Sequence, residues 1–354
     1  MQQLSALIAM SGGVDSSVAA FLTARDGYSC IGGTMLLYDD GDVCGSSSAI
    51  EDARNVAQRL DMPFHVFELT GQFEEKVISN FVSCYENGLT PNPCVCCNRH
   101  LKFSAFLEKA KDLGCDCMVT GHYARIRKDE TTGRYLLCKA VDEAKDQSYF
   151  LYAITQEQLK HIRFPLGELT KEQVRAIALE QGFINAKKRD SQDICFVPDG
   201  DYLGFLRKFT GKDYAPGDFL DTEGKKVGTH QGAVGYTLGQ RKGLGLAMGQ
   251  PVYVCGKDMA ANTVTVGSED NLFHKELLAN DWFFFPFPAL TAPLEVTAKT
   301  RSRMKEQPAT VYPEADGYCR VVFQESQRAI TPGQAVVLYH DDVVVGGGTI
   351  TKVI

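Results

Sequence analysis

Through the first two hundred residues, short apolar runs alternate with stretches in which apolar side chains recur every three or four positions. Residues 7–10 read as a strand and residues 15–26 as a helix closed by Gly27. Residues 30–37 return as a strand, and residues 48–60 follow as a helix with Ile50, Ala53, Val56, Ala57 and Leu60 on one face. Residues 64–69 alternate like a third strand, residues 103–113 form a helix that stops at Gly114, and residues 117–120 are another buried strand. Thr170 and Gln173 make a capping box for a helix ending near Gly182. Strands that alternate with helices in this way predict an α/β fold with a doubly wound parallel sheet.

The pattern changes near residue 200. Residues 210–250 are rich in glycine, and from Val252 onward short β-branched runs follow one another at 252–254, 263–266, 294–298, 320–323, 336–339 and 343–345. Turn residues separate them, as expected of a small central domain followed by a C-terminal β-barrel. Pro286, Pro288 and Pro293 mark a junction before the last part. The expected division is 1–200, 201–277 and 278–354, since 354 residues exceed one ordinary core.

Composition narrows the class. Hydrophobic content of 44% and charged content of 23% are those of a soluble globular protein. The opening residues carry no basic segment before a long apolar stretch, so a cytoplasmic protein with no membrane partner is expected. Twelve cysteines are then read as thiols rather than as a disulfide framework. A net charge of −7 argues against a protein that coats nucleic acid non-specifically, though a local basic strip can still grip RNA.

Candidate chemistry begins at Ser11-Gly12-Gly13-Val14-Asp15-Ser16, which joins the first strand to the first helix. Two glycines let the backbone approach an anion, while serine hydroxyls and helix-start N–H groups cradle phosphate oxygens. Asp15 is placed to hold a Mg2+ ion bridging those phosphates. The bland reading of this string is a tight turn with a serine cap. The string lacks the Gly-Lys-Ser/Thr ending of a Walker loop, which disfavours γ-phosphate transfer. It resembles the PP-loop of ATP pyrophosphatases, which transfer AMP to an oxygen and expel pyrophosphate.

The segment from Thr90-Pro91-Asn92-Pro93 through Cys94, Cys96 and Cys97 to Asn98, Arg99, His100 and Lys102 is the most informative. A thiol at a helix start beside Arg99 and Lys102 is expected to have a depressed pKa. A second polar loop, Arg189-Asp190-Ser191-Gln192-Asp193-Ile194-Cys195-Phe196, follows Lys187 and Lys188. A zinc site built from Cys94, Cys97, Cys115 and Cys117 has the wrong internal spacing. Cys30, Cys138, Cys255 and Cys319 lie in strand-like runs and read as core residues, Cys96 as structural, and Cys44 and Cys84 as uninformative.

With Thr120-Gly121-His122-Tyr123, Lys145-Asp146-Gln147-Ser148-Tyr149-Phe150-Leu151, the string Thr237-Leu238-Gly239-Gln240-Arg241-Lys242-Gly243-Leu244-Gly245, and Thr331-Pro332-Gly333-Gln334, these motifs resemble those of the tRNA 2-thiouridylase family (MnmA, also called TrmU) over nearly the whole chain. The resemblance implies an ATP-dependent tRNA sulfurtransferase with a PP-loop (adenine nucleotide alpha hydrolase-like) domain. By position, Cys97 matches the family's nucleophile and Cys195 its persulfide carrier. Ala9, Met10, Ser11, Gly12, Gly13, Val14, Asp15, Ser16, Met35 and Gly121 map onto ATP contacts. Asn92, Pro93 and Cys94 map onto contacts to the target base, and His122, Lys145, Asp146, Gln147, Arg301, Ser302 and Gln334 onto tRNA contacts. The mechanism that the resemblance implies is that ATP adenylates the uridine C2 oxygen, a persulfide on Cys195 delivers sulfur, AMP leaves, and Cys97 releases the sulfur by forming a disulfide with Cys195. The implied sulfur source is a persulfide relay from a cysteine desulfurase, or inorganic sulfide.

Cys94 departs from the family's common Asp. Cys94, Cys97 and Cys195 together can hold a [4Fe-4S] cluster with one open iron, so cluster and persulfide chemistry both stay open. Arg301-Ser302 departs from the common Arg-Tyr pair. Further basic groups fall at Arg99, His100 and Lys102, at His122, Arg125, Arg127 and Lys128, at Lys187, Lys188 and Arg189, at Arg241 and Lys242, and at Lys299, Arg301, Arg303 and Lys305. Each alone reads as a solvated face, and together they can line a groove for folded RNA. The competing readings are another PP-loop AMP-forming ligase, and an iron–sulfur or tRNA-binding module without catalysis.

Overall fold

The computed structural model describes residues 3–38, 47–186, 188 and 194–354. Five parallel strands form the first sheet: β1 (Ser5–Ala9), β2 (Ser29–Leu36), β3 (Phe64–Glu68), β4 (Cys117–Thr120) and, after the hairpin β5 (Arg125–Lys128) and β6 (Tyr135–Cys138), β7 (Ile162–Arg163). Their order is β3-β2-β1-β4-β7. Ala6, Leu7 and Ile8 of the central strand are fully buried, as a strand covered on both faces requires. Helices α1 (Val14–Arg25) and α2 (Ser47–Arg59) follow β1 and β2. After β3 come α3 (Thr70–Phe73), α4 (Ser79–Glu86), α5 (Pro93–Cys97) and α6 (Phe106–Asp112). Residues Asn98–Ala105, between α5 and α6, are π-helical. The remaining helices are α7 (Gln156–Lys160), α8 (Lys171–Glu180) and α9 (Tyr202–Thr210). The capping box expected at Thr170 and Gln173 is present at the start of α8.

The chain turns from β1 to β2 on one side and returns to β4 on the other. Loops at the carboxyl ends of β1 and β4 therefore face each other at a topological switch point, where open α/β sheets bind ligands. The glycine–serine string leaves β1 there, and Gly121, His122 and Tyr123 leave β4 there.

The glycine-rich middle contains a four-stranded sheet ordered β10-β11-β8-β9, from β8 (Gly217–Leu220), β9 (Lys226–His230), β10 (Tyr253–Asp258) and β11 (Thr263–Gly267). Six strands, β12 (Phe273–Phe284), β13 (Leu294–Lys299), β14 (Gln307–Pro313), β15 (Cys319–Arg328), β16 (Ala335–His340) and β17 (Val343–Val353), then close into a barrel through β12–β17 pairing. Pro286, Pro288 and Pro293 fall between β12 and β13, inside the barrel rather than before it. Proline donates no ladder hydrogen bond, so it collects between strands as readily as between domains.

The barrel is docked on the first sheet. Val337, Tyr339 and Val344 share one apolar cluster with Leu7, Phe103, Phe106 and Met118. The β5–β6 hairpin extends the barrel sheet through Val343 and Cys138. The Tyr149 hydroxyl donates to the Ala335 carbonyl at 2.9 Å, deep in that contact.

Candidate active site

The loop after β1 is shaped by close backbone approaches. Gly12 has φ +71°, and a Cβ there would lie 2.3 Å from the Ala49 carbonyl oxygen in the first turn of α2. Only glycine fits. A Cβ on Gly121 would lie 2.7 Å from Asp15 C and Ser16 N, so the β4 loop rests directly on the β1 loop. The Ser16 hydroxyl accepts from Ser11 N at 3.2 Å and donates to Gly13 O at 3.0 Å. Asn185, almost wholly buried, donates to Gly12 O at 3.1 Å and to the Ser17 hydroxyl at 2.9 Å. Ser11 is exposed at the mouth, Ala9 and Gly13 are half-buried, and Met10, Val14 and Ser16 are buried. Met35 lies on β2 at the edge of the same crevice, where Met10 N donates to Gly33 O at 2.8 Å.

Asp15 is engaged more fully than its sequence position suggests. The Lys171 Nζ donates to both its carboxylate oxygens at 2.8 Å, and the Tyr123 hydroxyl donates to Oδ1 at 2.8 Å. Lys171 is 8% exposed, and a lysine so buried needs a partner. Gln147 fixes Tyr123 in turn, accepting from Tyr123 N through its side chain while its own N donates to Tyr123 O, both at 2.9 Å. The sequence motifs around Asp15, Tyr123 and Gln147 thus form one hydrogen-bonded chain, and Lys171 joins it from α8.

Neither Lys171 nor the Tyr123 hydroxyl was expected at the site. A lysine at the first residue of a helix is unfavourable against the helix dipole unless something else holds it, and that was the available signal. Asp15 remains the carboxylate on the loop, and one carboxylate plus phosphate oxygens suits Mg2+. Its exchange of Lys171 for the ion is the condition for that fit.

The cysteine loop differs from expectation in one respect. The helix starts at Pro93, with the Asn92 side chain accepting from Val95 N at 3.3 Å. Cys94 is exposed in its first turn and Cys97 is half-buried at its end, where the backbone becomes π-helical. Arg99 does not face the thiols alone: it makes a bidentate ion pair with Asp281 on β12 and covers the Phe283 ring at 4.8 Å. The Cys96 thiol donates to Lys76 O at 3.1 Å, and burial pushes its pKa up to about 11, so it is structural. Cys97 and Cys195 border one apolar cluster built from Phe73, Phe81, Leu101 and Phe196. Lys187, Arg189 and residues 190–193, like Cys44, lie outside the described residues.

No three Cys, His, Asp or Glu side chains among the described residues are grouped to hold a metal ion. Cys94, Cys97 and Cys195 therefore do not form a ligand set in this conformation.

Several residues expected to touch RNA also make hydrogen bonds within the fold. The Asp146 carboxylate accepts from Ala140 N at 3.0 Å, from Ser148 N at 3.3 Å and from the Ser148 hydroxyl at 2.7 Å. Gln334 Nε2 donates to Thr90 O at 2.9 Å and Pro91 O at 3.0 Å, while Thr90 N donates to Pro332 O at 2.9 Å. A barrel turn thus holds the start of the cysteine loop. Arg301 Nη2 donates to Ala329 O at 2.9 Å and the Thr331 hydroxyl at 3.2 Å, and Ser302 beside it is half-buried. His122 lies between the Phe103 and Phe164 rings with Nδ1 2.7 Å from the Thr120 hydroxyl. Burial, helped by the nearby Lys102 charge, holds its pKa well below the usual histidine value. Lys145 is half-buried beside Asp146.

Of the basic groups, Arg125 and Arg127 pair with Asp342, Lys188 with Asp52, and Lys299 with Glu306. Lys102, Arg241, Lys242, Arg303 and Lys305 meet no carboxylate among the described residues. With Lys128, which also meets none, they are the cations of these groups open to an anionic partner.

A glycine–serine loop at the switch point of a doubly wound sheet, with a cysteine loop clasped by a barrel, is the arrangement of a HUP-type protein. Residues 5–199 match the family model described as the tRNA methyl transferase HUP domain, residues 204–268 its PRC-barrel domain, and residues 274–350 the aminomethyltransferase beta-barrel domain. The tRNA-specific 2-thiouridylase MnmA of Clostridioides difficile is 49% identical over 98% of this chain and 98% of its own. That of Acetivibrio thermocellus is 49% identical over 99% of this chain and all of its own (100%). The chain belongs to the tRNA-specific 2-thiouridylase MnmA family. A solved 4-thiouridine synthetase–RNA complex with bound ATP is 17% identical and covers 58% of this chain and 50% of its own, with a TM-score of 0.35, too slight a likeness to carry argument. No helix among the described residues is long and apolar enough to cross a membrane.

Proposed function

We infer that the protein is an ATP-dependent tRNA sulfurtransferase that makes 2-thiouridine at the wobble position. The observation that carries this reading is that Cys97 and Cys195, far apart in sequence, border the same apolar cluster, in a chain 49% identical to MnmA over its length. The loop from Ser11 to Ser16 binds the ATP phosphates, and Asp15 would hold the Mg2+ that neutralises departing pyrophosphate. The uridine C2 oxygen attacks the α-phosphorus and pyrophosphate leaves, so C2 acquires AMP as a leaving group.

The terminal sulfur of a persulfide on Cys195 then attacks C2, and the C2–O bond breaks with departure of AMP. The Cys97 thiolate attacks the Cys195 sulfur, forming a disulfide and releasing the 2-thio product. A dithiol reductant must reopen that disulfide, and a cysteine desulfurase relay supplies the persulfide. Cys94 completes a [4Fe-4S] ligand set only if it, Cys97 and Cys195 converge from the arrangement described above. Iron and sulfide analysis of anaerobically purified protein separates the routes: stoichiometric cluster iron required for thiolation would replace the persulfide scheme.

The central test is nucleoside mass analysis of tRNA from a deletion strain carrying this gene, Cys97→Ser or Cys195→Ser. Wild type restores 2-thiouridine and neither variant does. Unchanged 2-thiouridine in the uncomplemented strain would sink the reading.

A further inference from the structure

Cys195 sits at the corner of a tight turn. Val197 N donates to Ile194 O at 2.9 Å, so Cys195 and Phe196 are the two central residues. Cys195 is half-buried, while Phe196 is 4% exposed and Val197 2%. We propose that Phe196 is a positioning residue for sulfur transfer, whose ring, clamped in an aromatic cluster, sets where the Cys195 sulfur stands relative to Cys97. This rests on the thiolation reading above and adds to it a residue that acts through Cys195.

The clamp is built from aromatic rings. Phe73 at the end of α3 and Phe81 in α4 meet the Phe196 ring edge to face, with centroids 5.7 and 5.1 Å away and planes at 79° and 85°. Phe205 of α9 closes another side at 5.2 Å and 51°. Aromatic pairs favour particular mutual orientations, so these contacts fix the angle of the ring as well as its depth. An aliphatic side chain fills the same space without fixing an angle. The turn cannot swing without drawing Phe196 and Val197 out of the core. The chain beyond is held as well: Gly200 N donates to Val197 O at 3.2 Å, and the Asp201 carboxylate caps α9 by accepting from Gly204 N at 2.9 Å.

The floor that takes Phe196 also takes the neighbour of Cys97. Between Phe73 and Phe81, Lys76 O accepts from the Cys96 thiol at 3.1 Å, and Asn80 Nδ2 donates to Cys96 Sγ at 3.9 Å. Residues 73–81 thus hold one residue adjacent to each reacting cysteine. The chemistry demands such a common support. A disulfide needs its two Cβ atoms about 3.5–4.5 Å apart, and a misplacement of about 1 Å at a reacting group costs about a hundredfold in rate. Adenylation makes no such demand on Phe196, because the cluster includes no described residue of the Ser11–Ser16 loop.

The test is the reduction potential of the Cys97–Cys195 disulfide, set by mixtures of reduced and oxidised glutathione and read by peptide mass mapping. In that exchange the two cysteines lose two electrons and two protons, and glutathione disulfide is reduced to two thiols. Phe196→Ala is expected to disfavour the disulfide about tenfold, raising its potential by about 30 mV. Sulfur transfer to an RNA hairpin containing the target uridine should slow by about tenfold or more. Pyrophosphate release dependent on that hairpin should stay within about twofold of wild type, as the separation from the Ser11–Ser16 loop requires. Phe196→Leu, which keeps burial without the ring edges, should shift the potential in the same direction and serves if the alanine variant does not fold. Phe209→Leu is the control for lost packing alone, since Phe209 stacks on Phe205 with centroids 6.0 Å apart, and should leave the potential unchanged. A wild-type potential in the Phe196 variants, or an equal shift in Phe209→Leu, would overturn this proposal alone. So would equal loss of pyrophosphate release and sulfur transfer. A wild-type protein that thiolates RNA without ever forming the Cys97–Cys195 disulfide would overturn the persulfide scheme above, and this proposal with it.

Discussion

Replacing Lys171 by Met tests whether the Asp15 ion pair is part of the chemistry or only of the fold. The change removes two charge-assisted hydrogen bonds of 2.8 Å and leaves the Tyr123 hydroxyl as the donor to Asp15. Breaking a fully buried pair costs about 3–5 kcal/mol, and breaking an exposed one about 0–1 kcal/mol. The two side chains are 10% and 29% exposed, so about 2 kcal/mol is expected, between those limits. Urea unfolding followed by far-ultraviolet circular dichroism measures it. Saturating Mg2+ and ATP should restore stability, because the ion takes over the neutralisation of Asp15. RNA-dependent pyrophosphate release should nevertheless stay about a hundredfold or more below wild type if the displaced ammonium adds to the Mg2+ ion a second positive charge beside the Ser11–Ser16 loop. Full pyrophosphate release at high Mg2+ would refute this, leaving Lys171 as a counter-ion and nothing more.

Gly12→Ala combines left-handed strain with a 2.3 Å approach to Ala49 O. It should cost about 2–5 kcal/mol and weaken ATP binding at least tenfold, read by calorimetry. Gln334→Leu removes the two bonds to Thr90 and Pro91, worth about 1 kcal/mol each, and should slow sulfur transfer while hairpin affinity changes less than twofold. Weaker RNA binding at an unchanged rate would return Gln334 to the role of a direct tRNA contact. Because the folded pKa of His122 is depressed, the unfolded chain binds the extra proton first as pH falls below 6.5. Stability should therefore drop from pH 6.5 downward, and His122→Phe should flatten that slope in urea titrations. An unchanged slope would mean His122 is not buried in solution.

The parallel sheet was legible because its signal is local. Residues 7–10, 30–37 and 117–120 are apolar runs bounded by turns, and the Thr170 capping box needs only four residues to be seen. A barrel was legible as a texture of short β-branched runs matching β13, β15, β16 and β17, whereas β12 and β14, and β8 and β9 with Gly217 and Gly228 in their pairing, escaped. The turn from β1 to α1 was legible because paired glycines between an apolar run and a helical pattern break both elements. What sequence could not give was partnership. Arg301, Gln334 and Arg99 look like open polar groups in the chain, but each is bound to a segment distant in sequence. Lys171 looked like a helix surface residue for the same reason.

Those long-range partners change what the barrel does. If it only carried RNA contacts, its bonds to the first sheet could be loose. Instead Gly333, with φ +91°, comes so close to Thr90 that a Cβ would lie 2.8 Å from Thr90 O, and its neighbours Pro332 and Gln334 hydrogen-bond the same loop. Asp281 on β12 holds Arg99, two residues beyond Cys97. Both ends of the cysteine-bearing segment, Thr90 before it and Arg99 after it, are therefore tied to the barrel, while Val95 within it and Phe103 just beyond it pack in the cluster that also holds Leu7 and Met118 of the first sheet. A displacement of the barrel would act on both ends of the segment that carries Cys97. The Ser11–Ser16 loop has a separate set of supports, Tyr123, Lys171 and Asn185, none of which belongs to the barrel, so the two halves of the candidate site are positioned by different parts of the fold.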